Sequence, residues 1–401
     1  MPKAMYPKGL QDPVKFNETL DKWIKEINAK KGEIIRWDVE QDHTWRQSNR
    51  VATEDLIRHF CDAYGETNPL YRHVDYARKS RYGCIIAPPT FLTCIAPSAI
   101  GAEPDHVPCV GFNAGAEWEW FQVVHAGDEF HGYDTELGYE EKKREGNVPP
   151  MFVSTIKRTY INQREEVVAN IYGHELRFAL APTNEGLLYG STGKEKQQAP
   201  KWKYSMEELE EITATYKEME KNRRGANVRW WEDVTVGESL GAVLQGPYDL
   251  MDVMSFMGVQ GYMSVAFGIK WDRIWNHTRF TLDEYNQTTW EPHLRDHEGL
   301  GYEFNQSAQS EAGVSHLICN WMGDDGFLKK LACQARRMMP VGDCSWIRGK
   351  VVKKYVENGE PLVDLEITCT TQRGLMHMPA TATVRLLSRE QMQKNLPFQF
   401  K

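Results

Sequence analysis

The chain has 401 residues, of which 41% are hydrophobic and 26% charged, and its formal net charge is -8 at pH 7. That length allows two domains, each large enough to bury a core, and the acidic balance argues against a nucleic-acid partner, which needs a basic face. Because no run of about 18 apolar residues and no apolar N-terminal signal occurs, we expect a cytoplasmic protein with no membrane partner.

The eight cysteines are scattered through apolar segments. None of them forms a C-x-x-C pair or belongs to a Cys/His cluster at zinc spacing. This pattern predicts reduced, mostly buried thiols and no metal site.

The N-terminal part of the chain is expected to be mainly helical. Apolar residues at helical spacing predict a helix over residues 16–30, followed by an extended stretch over 33–37. A second helix is expected to follow the N-cap residue Thr53 and to end at Gly65. After a polar loop, the Pro-Pro pair at 88–89 is expected to begin a buried helix, because proline suits the first turn.

Strand periodicity dominates the rest of the first half. Apolar and polar residues alternate along 128–139, 152–160 and 167–178, which predicts three long antiparallel strands. Trp118 and Trp120 are expected to share one face of an earlier strand. An antiparallel sheet packed on helices is therefore predicted for this half.

The segment 183–228 changes in character and marks a boundary. Its charged helix, residues 206–222, alternates acids and bases without a wide apolar face, which predicts a solvated linker helix. We place an N-terminal domain at 1–190, a linker at 191–228 and a C-terminal domain at 229–401.

Beyond that boundary the pattern of the first half recurs. Residues 252–258 resemble 55–60, and 339–345 resemble 123–129, each of the latter pair containing Gly-Asp before a strand. An internal repeat about 200 residues long indicates a domain duplication, since solenoid repeats are about 20–50 residues long. The predicted fold class is α+β, with the same architecture built twice.

Two segments carry a family resemblance. The segment from Glu66 to Ala77 reads E-x-N-P-L-Y-x-x-x-D-x-A and resembles the hydratase loop of MaoC-like dehydratases, while residues 86–91, I-A-P-P-T-F, are similar to a helix start in their FAS1-like dehydratase N-terminal domain. In the second half, W-M-G-D-D-G (321–326) and P-V-G-D (340–343) resemble the end of the central helix and a strand entry of the same family.

The resemblance implies a double hotdog, that is two tandem hotdog domains, each a central helix wrapped by an antiparallel sheet. It also implies the activity of the (R)-specific enoyl-CoA hydratase family, which adds water to an enoyl-CoA or removes it from a 3-hydroxyacyl-CoA. An acid and a histidine activate the water, and a backbone N–H at the helix start polarises the thioester carbonyl. The partner implied is a CoA-thioester substrate, with no cofactor beyond the CoA it carries, and relatives form homo-oligomers.

The first half departs from the family motif. Glu66 stands at the position of the family's aspartate, and Asn68 matches, but Tyr71 replaces the histidine, and a phenol that titrates near pH 10 is a poor proton shuttle at neutral pH. The Pro-Pro pair at 88–89 has no N–H to offer a carbonyl. The first half is therefore expected to shape the acyl pocket, with Glu66, Asn68 and Tyr71 as secondary site candidates.

The second half is then expected to be catalytic. Asp272 and His277 reproduce the family's spacing of acid and histidine, and Asp296 with His297 lies closer to the central helix expected from about residue 312. Aromatic packing or a solvated loop also accounts for these residues. Gly313 is the candidate for the oxyanion N–H by analogy with relatives.

Two other interpretations stay open. His316, one turn inside the central helix, is expected to be a satisfied core histidine rather than a site residue. At the level of function, the same fold also supports an acyl-CoA thioesterase, and the departures from the motif fit a non-catalytic acyl-CoA binding protein.

Overall fold

The computed structural model describes residues 13–37, 47–97, 109–142, 151–179, 201–261 and 303–393. Across these ranges, ten strands form one antiparallel sheet against which the helices pack. None of the described helices combines the length and the apolar character that crossing a membrane requires.

The first half supplies four α-helices, one 3-10 helix and five strands to the described part of the chain. These are α1 (Pro13–Ala29), β1 (Ile34–Arg36), α2 (Glu54–Tyr64), α3 (Pro69–Arg72), α4 (Val74–Ala77), the 3-10 helix Pro89–Cys94, β2 (Cys109–Trp120), β3 (Phe130–Glu141), β4 (Met151–Asn162) and β5 (Val167–Ala179). The predicted first helix, the extended stretch after it and the three long strands are confirmed.

The remaining described elements are the helix inside the predicted linker and the elements that follow the linker. They are α5 (Met206–Asn222), the 3-10 helix Trp231–Asp233, β6 (Ser239–Gln245), α6 (Leu250–Gln260), α7 (Ser307–Met322), β7 (Phe327–Gln334), β8 (Ser345–Glu357), β9 (Glu360–Thr371), β10 (Met376–Arg385) and α8 (Arg389–Gln393). The domain limits themselves stay a prediction.

Helix α2 forms where its capping residues predict. The Thr53 side chain accepts a hydrogen bond from the backbone N–H of Leu56, and Gly65 ends the helix in the left-handed conformation at φ 81°. Ile57 and Phe60 are buried on its inner face. The two ends of α2 thereby fix where the loop after Gly65 begins.

The helix after the Pro-Pro pair differs from the expectation. Pro88 caps it and Pro89 occupies its first turn, as predicted, but the described residues form a short 3-10 helix. Its bonds span three residues, from the Phe91 N–H to the Pro88 carbonyl and from the Ile95 N–H to the Leu92 carbonyl.

The sheet is continuous across the two halves. Its strand order is β1-β3-β4-β5-β2-β7-β10-β9-β8-β6, so the halves join where β2 pairs with β7. Trp118 and Trp120 of β2 share one face, as predicted, with ring centroids 5.2 Å apart. Every residue of α7 from Ala308 to Met322 is buried, so this helix is the core element of the second half.

The duplication is visible in matching contacts. In the first half the Asp128 carboxylate accepts hydrogen bonds from Gln163 and Arg164, and the Gln163 carbonyl oxygen accepts from the Glu129 N–H at 3.0 Å. These bonds hold the β4–β5 turn against the start of β3.

The second half repeats this arrangement. Arg373 donates two hydrogen bonds to the Asp343 carboxylate, at 2.7 and 2.9 Å, and the Gln372 carbonyl oxygen accepts from the Cys344 N–H at 2.9 Å. The backbone carbonyls of both aspartates also accept matching bonds. The Asp128 carbonyl accepts from the N–H of Ala52, just before the N-cap of α2, and the Asp343 carbonyl accepts from the N–H of Tyr248, just before the N-cap of α6.

The linker helix α5 is more than a solvated connection. Ile212 and Met219 are buried in the core, and the Tyr216 hydroxyl donates to the Gly246 carbonyl oxygen at 2.8 Å. The helix is otherwise mostly exposed, as predicted, and two apolar residues that share one helical face suffice to pack it against β6.

Candidate active site

The loop that carries the motif is folded by its own side chains. The Asn68 side chain caps α3 by accepting from the Leu70 N–H at 3.0 Å, and Pro69 fills the first turn. The Asn68 N–H in turn donates to one oxygen of the Glu66 carboxylate at 2.9 Å. This turn directs Glu66 away from solvent.

Glu66 meets a histidine from the other half of the molecule. The Nε2 atom of His316 on α7 lies 3.5 Å from the Oε1 atom of Glu66. Both residues are buried, with 1% of Glu66 and 2% of His316 exposed. The acid comes from the motif loop of the first half and the imidazole from the central helix of the second.

Several polar atoms around this pair have no hydrogen-bond partner among the described residues. They are the second carboxylate oxygen of Glu66, both ring nitrogens of His316 and the hydroxyl of Tyr64. The Tyr64 ring stands edge-on to the His316 ring, with centroids 6.1 Å apart. Buried polar groups are nearly always satisfied, so such a group of atoms calls for an explanation.

Burial sets the protonation of these groups. Burial lowers the pKa of His316, and the Glu66 carboxylate opposes that shift in part, so the imidazole is neutral at neutral pH. Burial, reinforced by the charge of Glu66, raises the pKa of Tyr64 well above its usual value. The phenol therefore keeps its proton and can donate it in a hydrogen bond.

A second acid, Asp324, lies just beyond the end of α7 and ties it to the first half. Its carboxylate accepts from the Tyr76 hydroxyl at 2.6 Å and from the Asn68 amide at 3.4 Å, and the Tyr82 hydroxyl donates to its backbone oxygen at 3.0 Å. Burial raises the pKa of Asp324. Two hydrogen bonds thus connect Asp324 through Asn68 to Glu66.

Charged residues close the outer side of the loop. Arg223 at the end of α5 pairs with Glu220 at 3.1 Å and also bonds the Thr67 hydroxyl. Arg72 donates to the backbone oxygen of Glu66 at 3.2 Å and pairs with Asp62 at 2.6 Å. Both arginines are engaged in holding the loop.

A pocket with a cavity volume of about 40 Å³, partly open to solvent, lies next to this network between the two halves. Its walls combine aromatic and aliphatic side chains with Asp324, and they include Leu70, Tyr71, Tyr82, Pro88, Pro89, Trp120, Val123, Val124, Met322, Phe327 and Leu328. The motif loop, the Pro-Pro pair and the end of α7 therefore face one space, in which apolar surface predominates.

Comparison with known proteins identifies part of the chain. Residues 43–171 match the family model of the FAS1-like dehydratase domain region. This part of the chain is therefore similar to FAS1-like dehydratase regions. The motif loop, the Pro-Pro pair and strands β2 to β4 all lie inside it.

The chain also resembles a curated protein over a shorter stretch. The UPF0336 protein Franean1_6066 of Parafrankia sp. (strain EAN1pec) is 35% identical over 74 residues, which is 18% of this chain and 44% of the relative. The match thus spans less than half of the length of that relative.

Solved structures show the fold. A MaoC-like dehydratase superposes with a TM-score of 0.62 at 15% identity, covering 90% of this chain and 100% of that one. A double hotdog protein from Mycobacterium tuberculosis gives 0.54 at 11% identity over 89% and 96% of the two chains, and a putative MaoC domain dehydratase from Chloroflexus aurantiacus gives 0.52 at 14% over 89% and 95%. The predicted α+β fold of two tandem hotdog domains is confirmed.

The site residues predicted for the second half have different outcomes. Asp272, His277, Asp296 and His297 lie outside the described residues, so their role stays a prediction. Gly313 is described, and the expectation that it starts the central helix is wrong, because α7 begins at Ser307.

Gly313 has a packing role instead. Inside a helix the backbone N–H bonds to the carbonyl four residues earlier, so it is not free for a thioester oxygen. A Cβ atom at this position would lie 2.3 Å from the Gln245 side chain and 2.6 Å from that of Ile347. Glycine is required here because the helix approaches the sheet closely.

His316 also corrects an expectation. It is buried, as expected of a core histidine, but its ring nitrogens have no hydrogen-bond partner among the described residues, so it is not satisfied. No local sequence signal could have paired it with Glu66, because the two are far apart in the chain and meet only through the packing of the halves. Among the described residues, no group of acids, histidines and cysteines could hold a metal ion.

Proposed function

We propose that the protein is a hydro-lyase that adds water to an enoyl-CoA thioester or removes it from a 3-hydroxyacyl-CoA. Two findings support the reaction class: the FAS1-like dehydratase region over residues 43–171 and the double hotdog fold shared with a MaoC-like dehydratase. The thioester substrate is inferred from the likeness of the Glu66–Ala77 loop to the hydratase loop of that family.

One observation carries the proposal. The motif loop, with Glu66, Asn68 and Tyr71, packs against the end of α7 beside a pocket between the halves. An acid, an imidazole and an apolar pocket are the parts that acid–base addition of water to an acyl chain needs. The reaction as proposed uses no cofactor beyond the CoA carried by the substrate.

The pocket supports an apolar acyl group. Its aromatic walls, Tyr71, Tyr82 and Trp120, and the aliphatic side chains between them offer contact area to a flat or branched hydrocarbon. Localisation in the cytoplasm and assembly into a homo-oligomer remain predictions.

A screen of thioesters tests the proposal. The purified protein is incubated with trans-2-enoyl-CoAs that range from crotonyl-CoA to cinnamoyl-CoA, and the products are weighed by mass spectrometry. We expect a mass gain of one water on at least one member. No gain on any member would contradict the proposal, and release of free CoA, read with a thiol reagent, would favour thioester hydrolysis instead.

A further inference from the structure

The buried contact between Glu66 and His316 is the feature of the molecule that the motif resemblance does not account for. We infer that these two residues form an acid–histidine pair, one member from each half, that binds and activates the water of the reaction. The inference rests on the proposed function and assigns its proton-transfer step to two described residues.

The geometry suits a shared water. The closest atoms of the two side chains are 3.5 Å apart, while the other Glu66 oxygen, the other His316 nitrogen and the Tyr64 hydroxyl have no hydrogen-bond partner among the described residues. One water needs two to four polar partners, and this cluster offers acceptors on Glu66 and His316 and a donor on Tyr64.

For packing alone, these unsatisfied atoms would be a net energetic cost. An unpaired buried polar atom costs about 1–3 kcal/mol, and an ionised one costs more. Such sites persist where function requires them, and buried titratable groups beside a pocket are candidates for that reason. Leu70 and Tyr71, which line the pocket, belong to the same loop as Glu66 and stand four and five residues after it.

The pair also compensates for the residue that the loop lacks relative to the family motif. Tyr71 replaces the family's histidine, and burial raises the pKa of its phenol well above the usual value, so it cannot exchange protons near neutral pH. His316 supplies an imidazole beside the acid of the same loop. The residue types of the motif are thus restored through the fold rather than through the sequence of the loop.

The chemistry balances with these groups alone. In hydration, the Glu66 carboxylate takes a proton from the water as the water oxygen bonds to the β-carbon, and the alkene electron pair moves to the thioester as an enolate. The enolate α-carbon then takes that proton from the Glu66 carboxyl group, which restores the carboxylate. His316 holds the water by a hydrogen bond to a ring nitrogen, and dehydration follows the same steps in reverse.

Charged and polar side chains from both halves surround the His316 ring. Glu66 and Tyr64 face His316 from the first half, and Glu220 and Arg223 face it from the end of α5. Burial outweighs their combined effect and lowers the pKa of His316. The imidazole is therefore available as a neutral hydrogen-bonding group across the neutral range.

The test uses isosteric variants of the full-length protein. Glu66→Gln and His316→Gln each remove one titratable group with little change of volume, and neutral amides are no harder to bury than the groups they replace. Each should lower kcat by about 100-fold or more, and the double variant should lose little beyond the worse single one. Thermal unfolding checks that each variant is folded.

A matched control lies on the same helix. Glu311 is a buried acid of α7 whose carboxylate accepts from the Trp118 indole at 3.2 Å. Glu311→Gln keeps an acceptor for Trp118 and should leave kcat within about threefold of the wild type. A loss in this control equal to that of Glu66→Gln would mean that any buried acid matters, which would overturn the assignment.

The outcomes distinguish a failure of the Glu66–His316 assignment from a failure of the proposed hydro-lyase function. If the wild type hydrates an enoyl-CoA and both pair variants keep its kcat, the pair is not the catalytic one, although the proposed function stands. If the wild type hydrates none, the proposed function fails first. Should a Gln variant fail to fold, Glu66→Asp keeps the buried acid but withdraws it from His316 by about one bond length, and an unchanged kcat there would contradict the inference.

Discussion

The sequence makes Tyr71 a site candidate. In the structure its side chain is buried, and we assign it a structural role. Burial raises the pKa of the phenol well above its usual value, and the nearby Cys319 thiol of α7 adds to that shift. We expect Tyr71→Phe to keep kcat within about threefold, because a phenol with so high a pKa does not exchange protons near neutral pH. Steady-state kinetics measure this, and a loss as large as that of Glu66→Gln would show that the phenol takes part in proton transfer.

The Asp128 carboxyl makes the free energy of unfolding depend on pH in the acidic range. Burial alone raises the pKa of this carboxyl, but hydrogen bonds from His125, Gln163 and Arg164 outweigh burial and hold the pKa well below its usual value. A carboxyl whose folded pKa is depressed stabilises the protein above its unfolded pKa, near 4, and loses that contribution as the pH falls further.

The lowered pKa of Asp128 determines what we predict for Asp128→Asn. The variant should be less stable at pH 7, and its stability should fall less steeply than that of the wild type below about pH 4. Urea unfolding at several pH values gives both quantities. Asp75, whose side chain is 94% exposed, provides the control, since Asp75→Asn should leave the acid dependence unchanged; equal slopes for wild type and Asp128→Asn would contradict the account.

Single residues show where sequence reasoning succeeds. The motif placed Glu66, Asn68 and Tyr71 in one loop at the pocket, because their spacing is local and the capping by Asn68 depends only on neighbours in the chain. His316 could not be identified in the same way, since its partner belongs to the other half. Gly313 was misassigned because a glycine for close packing and a glycine for a helix start look the same in sequence.

Among the elements, strand β2 carries the junction of the two halves at Gly115. Its φ of +113° and its bulge opposite β5 bring the backbone against β7, so that a Cβ atom would lie 2.0 Å from the Cys333 carbonyl oxygen. Gly115→Ala should therefore lower the free energy of unfolding by about 2–4 kcal/mol, the sum of backbone strain and overpacking.

A second glycine separates these two effects. Gly374, in the turn before β10, has a φ of +75° but open space around its Cβ position. Gly374→Ala should cost only about 1 kcal/mol, the strain of the left-handed conformation alone. Chemical denaturation of both variants measures the difference, and equal losses would mean that the close approach at Gly115 has no energetic weight.

The elements also show which sequence signals were sufficient. Alternation along 128–178 predicted β3 to β5, since each strand has one buried face. The start of α7 was placed too late because Gln306 makes no side-chain cap there, so the usual N-terminal signal is missing. The Pro-Pro pair correctly marked a helix start, but the sequence did not predict the 3-10 geometry of that helix, which packs against α7.

For the whole molecule, the Asp343–Arg373 contact, which repeats the Asp128–Arg164 contact of the first half, predicts where stability resides in the second half. Arg373 donates two hydrogen bonds to Asp343, whose side chain is 2% exposed. Arg373→Ala should destabilise the protein by about 3–5 kcal/mol, because it leaves a buried carboxylate without its partner. Lys350→Ala, which removes an exposed pair with Glu366, should cost less than about 1 kcal/mol.

Urea unfolding of these two variants measures the contrast. If Arg373→Ala is no more destabilising than Lys350→Ala, the Asp343–Arg373 contact is not a stabilising feature of the duplicated fold. The comparison is informative for the whole chain because the sheet runs without a break from one half to the other through β2 and β7.

That continuity also places the proposed chemistry. Glu66 belongs to one half and His316 to the other, and the pocket beside them has walls from both. Neither half alone contains the acid, the imidazole and the pocket, so the double hotdog is the functional unit of the account. The sequence predicted the duplication and the fold, whereas the pairing across the halves required the packed structure.

The fate of labelled water tests the central claim most directly. The protein is incubated with a 3-hydroxyacyl-CoA in oxygen-18-labelled water, and the position of the label is read by mass spectrometry. A reversible hydro-lyase exchanges the 3-hydroxyl oxygen with solvent, so we predict the label in that hydroxyl of an intact thioester. Label in a free carboxylate, with CoA released, or no label at all would contradict the account.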